Sequence, residues 1–116
     1  MFHPSLFMAI VVLWIHFISD FILQTDEMAK GKSSSNRILT RHVLTYGVFF
    51  LVYFGPAYAL VNCILHWFTD YFSSRATSKL WKENRVHEFF VVIGLDQAIH
   101  ATCLIATLPL VWWPFL

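Results

Sequence analysis

The chain has 116 residues, of which 58% are hydrophobic, 18% aromatic and only 13% charged, with a formal net charge of +1. A small soluble domain carries roughly a quarter charged residues and cannot hide this much apolar side chain, and a disordered segment is far more polar. A charge near zero exerts no general attraction on polyanions, so a nucleic-acid-binding tail is excluded as well. What remains is one small integral membrane domain, residues 1–116, whose surroundings are the lipid bilayer.

A bilayer-crossing helix needs about 20 mostly apolar residues, so the chain holds at most four. The predicted spans are 5–23, 38–54, 57–72 and 89–111, with Gly55-Pro56 as the turn between the second and third. Continuous apolar runs, without alternation, exclude a barrel. The expected fold is an all-α integral membrane four-helix bundle with a weak two-hairpin repeat. Met1-Phe2-His3-Pro4 carries no basic residue and no small-residue cleavage site follows the first run, so that run reads as a retained span.

The polar segments 25–37 and 73–88 hold the basic residues. Lys30, Lys32, Arg37 and Arg41 flank or occupy the first, and Arg75, Lys79, Lys82 and Arg85 lie in the second. With four spans both segments fall on one side, which the positive-inside rule makes cytoplasmic, leaving both termini outside. Trp112 and Trp113 then fit an outer interfacial belt, and Leu80-Trp81 a turn resting on the inner surface.

Ionisable residues inside the apolar runs carry the functional signal. The first run contains His16-Phe-Ile-Ser-Asp20 and the third His66-Trp-Phe-Thr-Asp70; the fourth contains Asp96-Gln-Ala-Ile-His100, the same spacing reversed. His42 lies about one turn into the second. Residues four apart share a helix face, so each pair presents an imidazole beside a carboxylate. At about 1.5 Å per residue all seven groups fall in one layer of the cytoplasmic half.

Charges within a span are costly and mark functional sites. Three explanations compete: His–Asp hydrogen bonds as interhelical glue, a proton relay, and a metal site. Metal is preferred, because three carboxylates buried together repel unless a cation compensates them. Imidazole and carboxylate suit Zn, with Mn or Fe as alternatives, and seven donors suffice for one or two ions. The expected ligands are His16, Asp20, His42, His66, Asp70, Asp96 and His100, with His42 serving as ligand or general base.

Gln24, Asn62 and Gln97 are expected to support those ligands, Asn62 by orienting His66. Tyr46 reads as a core aromatic that could line the site. Cys63 and Cys103 share faces with His66 and His100 but read as small buried packing residues. His3 and His87 fall outside the spans and are expected to be solvated. Lys30, Lys32, Arg41 and Arg75 mark topology first and could also clamp an anionic headgroup or phosphate.

The order His16xxxAsp20-Phe-Ile-Leu-Gln24, Ala29-Lys30, His42, His66xxxAsp70, Asp96-Gln97-Ala-Ile-His100 resembles domain of unknown function 3307, a family of small bacterial and phage membrane proteins. The resemblance covers nearly the whole chain. It implies a multi-pass protein of the bacterial plasma membrane whose His and Asp positions form the family pattern, and a related membrane family carries the description metal-dependent hydrolase. The helical ligand pairs are also similar in type to those of zinc-dependent phospholipase C and of cation diffusion facilitators, although six spans and a cytoplasmic domain are missing for the latter. The leading expectation is a metal-dependent hydrolase acting on a lipid or lipid-linked phosphoester at the cytoplasmic interface. A divalent-metal transporter or channel, acting as a homo-oligomer, and a metal-stapled structural or phage accessory protein are the alternatives.

Overall fold

A computed structural model describes residues 5–112 of the chain, and the described residues form helices joined by short turns without any strand. The first helix, α1 (Leu6–Phe17), starts at Ser5, whose hydroxyl accepts the Met8 N–H at 3.0 Å. It runs on into a single π-turn, Ile18–Ile22, closed by a bond from the Leu23 N–H to the Ile18 carbonyl. Thr25 caps the short α2 (Asp26–Gly31), which has acids in its first turn and Lys30 in its last, as the helix dipole favours. Ser35 caps α3 (Asn36–Phe54). Then follow α4 (Pro56–Lys82), α5 (Val86–Ala106) and a 3-10 turn, Leu108–Leu110, which Pro109 imposes by supplying no N–H.

The turn between α3 and α4 is Gly55 alone, at φ 92°, followed by Pro56 at the first helical position. Trp112 crosses this corner, its N–H donating to the Phe54 carbonyl at 2.9 Å, and a Cβ on Gly55 would lie 3.0 Å from the Trp112 Cβ. The α4–α5 turn is Glu83-Asn84-Arg85, with Asn84 at φ 57° and the Arg85 N–H closing on the Leu80 carbonyl. Asparagine tolerates that left-handed backbone better than most residues.

Helix α4 packs between α3 and α5, and α1 closes the bundle against α3 and α5. Its inward stripe is Tyr58, Asn62, His66, Asp70 and Ser74, four residues apart, so apolar contacts at one end give way to polar ones at the other. The apolar end holds Met8, Val12, Phe50, Phe54, Tyr58, Leu104 and Leu108. All eight basic residues lie toward the opposite end, on α2, the α2–α3 turn, the start of α3, the second half of α4 and the turn into α5.

Two expected boundaries need correction. Segment 73–88 is not a loop: α4 continues ten residues past 72, because Ser73 to Lys82 contains polar helix-tolerant residues but no Gly or Pro to stop it. Leu80 and Trp81 therefore belong to the last turn of α4. The fourth run likewise begins earlier, at Val86, and ends at Ala106. Segment 25–37 contains α2. Among the described helices only Val86–Ala106 is by itself long and apolar enough to cross a membrane, and Leu6–Ile22 is apolar but shorter. Large apolar side chains are nevertheless exposed on every long helix, including Leu6 and Phe7 on α1, Leu44 and Val52 on α3, Leu60 and Phe72 on α4, and Phe90 and Leu95 on α5. Trp112 is exposed as well; Trp113 and His3 lie outside the described residues.

Candidate metal centre

Each long helix delivers its ionisable residues to the buried seam at the basic end. His16 stands in the last turn of α1, and the π-turn after it turns both Ser19 and Asp20 inward. Such turns are found preferentially at functional sites because they re-aim side chains that regular helix would place elsewhere. His42 comes from α3, His66 and Asp70 from α4, and Asp96 and His100 from α5. All but Asp96 are buried, and Asp96 is only partly exposed.

Four ligand atoms, from Asp20, His42, His66 and Asp70, converge on one point. His42 Nε2 lies 2.9 Å from Asp20 Oδ1 and 3.1 Å from Asp70 Oδ2. His66 Nε2 lies 3.3 Å and 3.1 Å from the same two atoms, and the two Nε2 atoms are 3.1 Å apart. Tetrahedral ligands about 2.0–2.1 Å from an ion stand about 3.3 Å apart, and adjacent octahedral ligands at about 2.1 Å stand about 3.0 Å apart. The observed edges span those two values, so the group could hold an ion of zinc or magnesium size.

Hydrogen bonding alone does not account for this group. A ring nitrogen carries at most one proton, and His42 Nε2 faces two carboxylate oxygens and a second imidazole nitrogen at once. Asp20 Oδ1 is buried, and the two imidazole nitrogens that crowd it, at 2.9 and 3.3 Å, are not well aligned to donate to it. A buried acceptor left in that state costs about 1–3 kcal/mol, more when charged. A cation at the centre would satisfy all four atoms together.

A second group shares Asp20. One ligand atom each from Asp20, Asp96 and His100 lie within 4.8 Å of one another. His100 Nε2 is 3.3 Å from Asp96 Oδ1 and 2.9 Å from Asp70 Oδ1, the other oxygen of the carboxylate that faces the first group. Asp20 and Asp70 thus lie between the two groups. Beside the second is a cavity of about 150 Å³, bordered by Asp20, Gln24, Lys32, Ser73, Ser74 and Asp96 among others. The first position is enclosed by four protein ligands, whereas the second has three and adjoins open space.

Other expected residues take different places. His16 joins neither group: its Nδ1 is hydrogen-bonded with the Tyr46 hydroxyl at 3.0 Å and its Nε2 with Gln97 Oε1 at 2.9 Å, leaving Asp20 Oδ2 at 3.9 Å. The π-turn between His16 and Asp20 opens the spacing that regular helix keeps at 3.1 Å for His66 and Asp70. Gln97 also donates to Asp96 Oδ2 at 2.9 Å, linking His16 to the second group. Asn62 does not orient His66; its amide donates to the Tyr58 carbonyl and Thr107 Oγ1, towards the apolar end. His42, expected as ligand or general base, faces Asp20, Asp70 and His66 and is not among the residues bordering the cavity. Gln24 borders the cavity with its Oε1 buried and unpartnered among the described residues.

Of the four basic residues expected to clamp an anion, Lys32 comes closest, with Nζ 3.2 Å from Asp70 Oδ2. Lys30 lines a neighbouring surface cleft with Ser33, Ser78 and Lys82. Arg41 lies 3.8 Å from Glu27 on the surface, and Arg75 binds Asn36 Oδ1 at 2.7 Å while stacking over the Tyr71 ring. Cys63 packs against the α3 backbone, its Sγ 3.8 Å from the Val43 carbonyl, and neither it nor Cys103 enters a ligand group. His87 is exposed. Ser73, whose hydroxyl donates to Asp96 Oδ1, is a residue that sequence reasoning misses, because it falls in a segment whose polarity reads as loop. Lys32, expected at an anion, stands beside Asp70, which it reaches from a turn where helical spacing gives no sign of it.

The family model described as Protein of unknown function (DUF3307) matches residues 7–116, and the chain belongs to that family. No curated protein and no solved structure gives a significant match.

Proposed function

Proceeding from membership of a family whose description assigns no activity, we propose that this protein is a membrane-embedded, divalent-metal-dependent hydrolase of phosphoesters. The convergence of Asp20, His42, His66 and Asp70 on one point carries the reading. The exposed apolar side chains on all four long helices support burial in lipid, with α1 and its π-turn, α3, α4 and α5 as the spans. At about 1.5 Å per residue the 27 residues of α4 reach about 40 Å, beyond a hydrocarbon core of about 30 Å. Its polar, basic end then emerges at the surface, on the cytoplasmic side by the positive-inside rule.

The enclosed four-ligand position has the form of a structural metal site, and the three-ligand position beside the cavity that of a reactive one. Asp20, Asp96 and His100 would hold a divalent ion there, which would supply Lewis-acid chemistry: a more nucleophilic water at neutral pH and charge withdrawal from a phosphoryl oxygen. Lys32 offers its ammonium to an anionic phosphoryl group in the cavity. Ser73 and Gln97 hold the two Asp96 oxygens, fixing that carboxylate's direction. In the reaction a water oxygen bonds to phosphorus, the phosphorus–ester oxygen bond breaks, and the water's proton ends on the departing alcohol.

Transport fits less well. Beyond the site the seam is filled mainly by Val12, Phe50, Phe54, Tyr58, Leu104 and Leu108, and its polar groups, on Tyr58, Asn62 and Thr107, are engaged with one another or with the backbone. A purely structural ion accounts for the four-ligand group but gives Asp96, His100 and the cavity no task. The test is metal analysis of detergent-purified protein, together with hydrolysis of para-nitrophenyl phosphate. One or two ions per chain are expected, with turnover that Asp96→Asn abolishes while the enclosed ion remains. Metal-free protein, or full turnover in Asp96→Asn, refutes the proposal.

A further inference from the structure

Outside the polar cavity, a second, larger hollow of about 450 Å³ lies between side chains of α4 and α5, its lining including Phe68, Phe72, Ala76, Val92, Leu95 and Ile99. This volume lies in the range of small-molecule binding clefts. Its lining is apolar except for Thr69, Ser73 and Asp96. Ser73 and Asp96, hydrogen-bonded to each other, also border the polar cavity. The apolar hollow and the polar one therefore meet at a single hydrogen-bonded pair, and one member of that pair is a candidate metal ligand.

We infer that the α4–α5 groove holds the hydrocarbon chain of an amphiphilic phosphoester, entering sideways from the bilayer with its phosphate in the cavity beside Asp96 and Lys32. The inference rests on the hydrolase reading for the headgroup's fate, but the groove itself is a separate observation. Charge complementarity identifies this occupant over a neutral lipid. Lys32 stands at the polar hollow, and the adjoining surface hollow is bordered by Lys30, Lys32 and Lys82 together with Trp81 and Phe89. A carboxylate and a serine where a largely apolar groove meets a polar cavity have no use for a neutral chain end. They suit the point where a chain joins a polar head positioned by a cation.

The test uses the full chain in phosphatidylcholine nanodiscs with a hexadecyl phosphate bearing a photoreactive diazirine in the chain. Adducts are expected on Phe72, Ala76, Val92 and Leu95, competed by unlabelled hexadecyl phosphate but not by hexadecanol. Ala76→Trp, which fills the groove, should reduce these adducts at least tenfold while leaving metal content and para-nitrophenyl phosphate turnover near wild type. Leu95→Trp provides a second filling variant should Ala76→Trp not fold. Adducts spread evenly over lipid-facing positions such as Leu44, Val52 and Leu60, or equal competition by hexadecanol, overturn the inference even if para-nitrophenyl phosphate is hydrolysed. Groove labelling with that competition pattern in a protein that neither binds metal nor turns over para-nitrophenyl phosphate supports the chain site and refutes the hydrolase reading instead.

Discussion

Asp70→Asn separates a metal centre from a hydrogen-bonded cluster, because the two accounts demand opposite results. Asp70 Oδ2 lies 3.1 Å from both His42 Nε2 and His66 Nε2, and Oδ1 lies 2.9 Å from His100 Nε2. The asparagine has nearly the same shape but no charge, and one of its two positions becomes a donor aimed at other donors or at an ion. Loss of a supporting residue alone lowers metal affinity about 10–100-fold, so loss of an anionic ligand should cost about 1,000-fold or more. An ion at one hundred times its Kd stabilises the folded protein by about 2.7 kcal/mol, which falls below about 0.1 kcal/mol when Kd rises 1,000-fold. The assay is thermal unfolding of detergent-solubilised protein across a zinc titration, with a chelator arm and elemental analysis of the same samples. The wild type should gain stability with zinc and the variant should not. In chelator the difference between them should shrink, because removing one of several crowded carboxylates relieves repulsion. An equal zinc-dependent gain in the variant, or stoichiometric metal retained on it, refutes the reasoning.

Other consequences are measurable in the same preparations. Lys32→Met removes the ammonium that stands 3.2 Å from Asp70 Oδ2; zinc should bind more tightly, while kcat/KM for an anionic phosphoester drops by about tenfold. Acidification should release the ion, since imidazole ligands bind metal only when neutral and protons compete for them; zinc-dependent stabilisation should fade as the pH falls below about 6. A Cβ on Gly47 would lie 2.2 Å from Cys63 Sγ, so Gly47→Ala should destabilise by about 1–3 kcal/mol, and Cys63→Ala in the same chain should recover much of it. Gly94 has no neighbour within 4 Å of such a Cβ, and Gly94→Ala should instead stabilise by about 0.5–1 kcal/mol in thermal unfolding.

The helical character of the chain, its apolar outer surface and the residue types of the site were all legible in the linear order. A four-residue spacing between imidazole and carboxylate is a local property of α-helix, so His66 and Asp70 could be paired before any tertiary contact was known. Hydropathy marks where a chain leaves an apolar medium but not where its helix ends, and for that reason the last ten residues of α4 look like loop in the linear order. Spacing also failed where local geometry departs from regular helix. The π-turn separates His16 from Asp20, so that His16 meets Tyr46 and Gln97 while Asp20 joins the ligand groups.

Which imidazoles and carboxylates face one another, and which face open space, is decided only by how the helices pack. His42 and His66 are brought within 3.1 Å by the close approach of α3 and α4 at Gly47 and Cys63, a contact between residues that no sequence period relates. Lys32 reaches Asp70 because the α2–α3 turn folds back over the end of α4, and Ser73 meets Asp96 because α4 runs on beside α5. Sequence by itself determined that buried imidazoles and carboxylates had to find one another, since none is tolerated alone in an apolar setting. Their division into an enclosed group and one beside a cavity depends on distances between helices, which are set by side-chain volumes across the seam and appear nowhere in the order along a single helix.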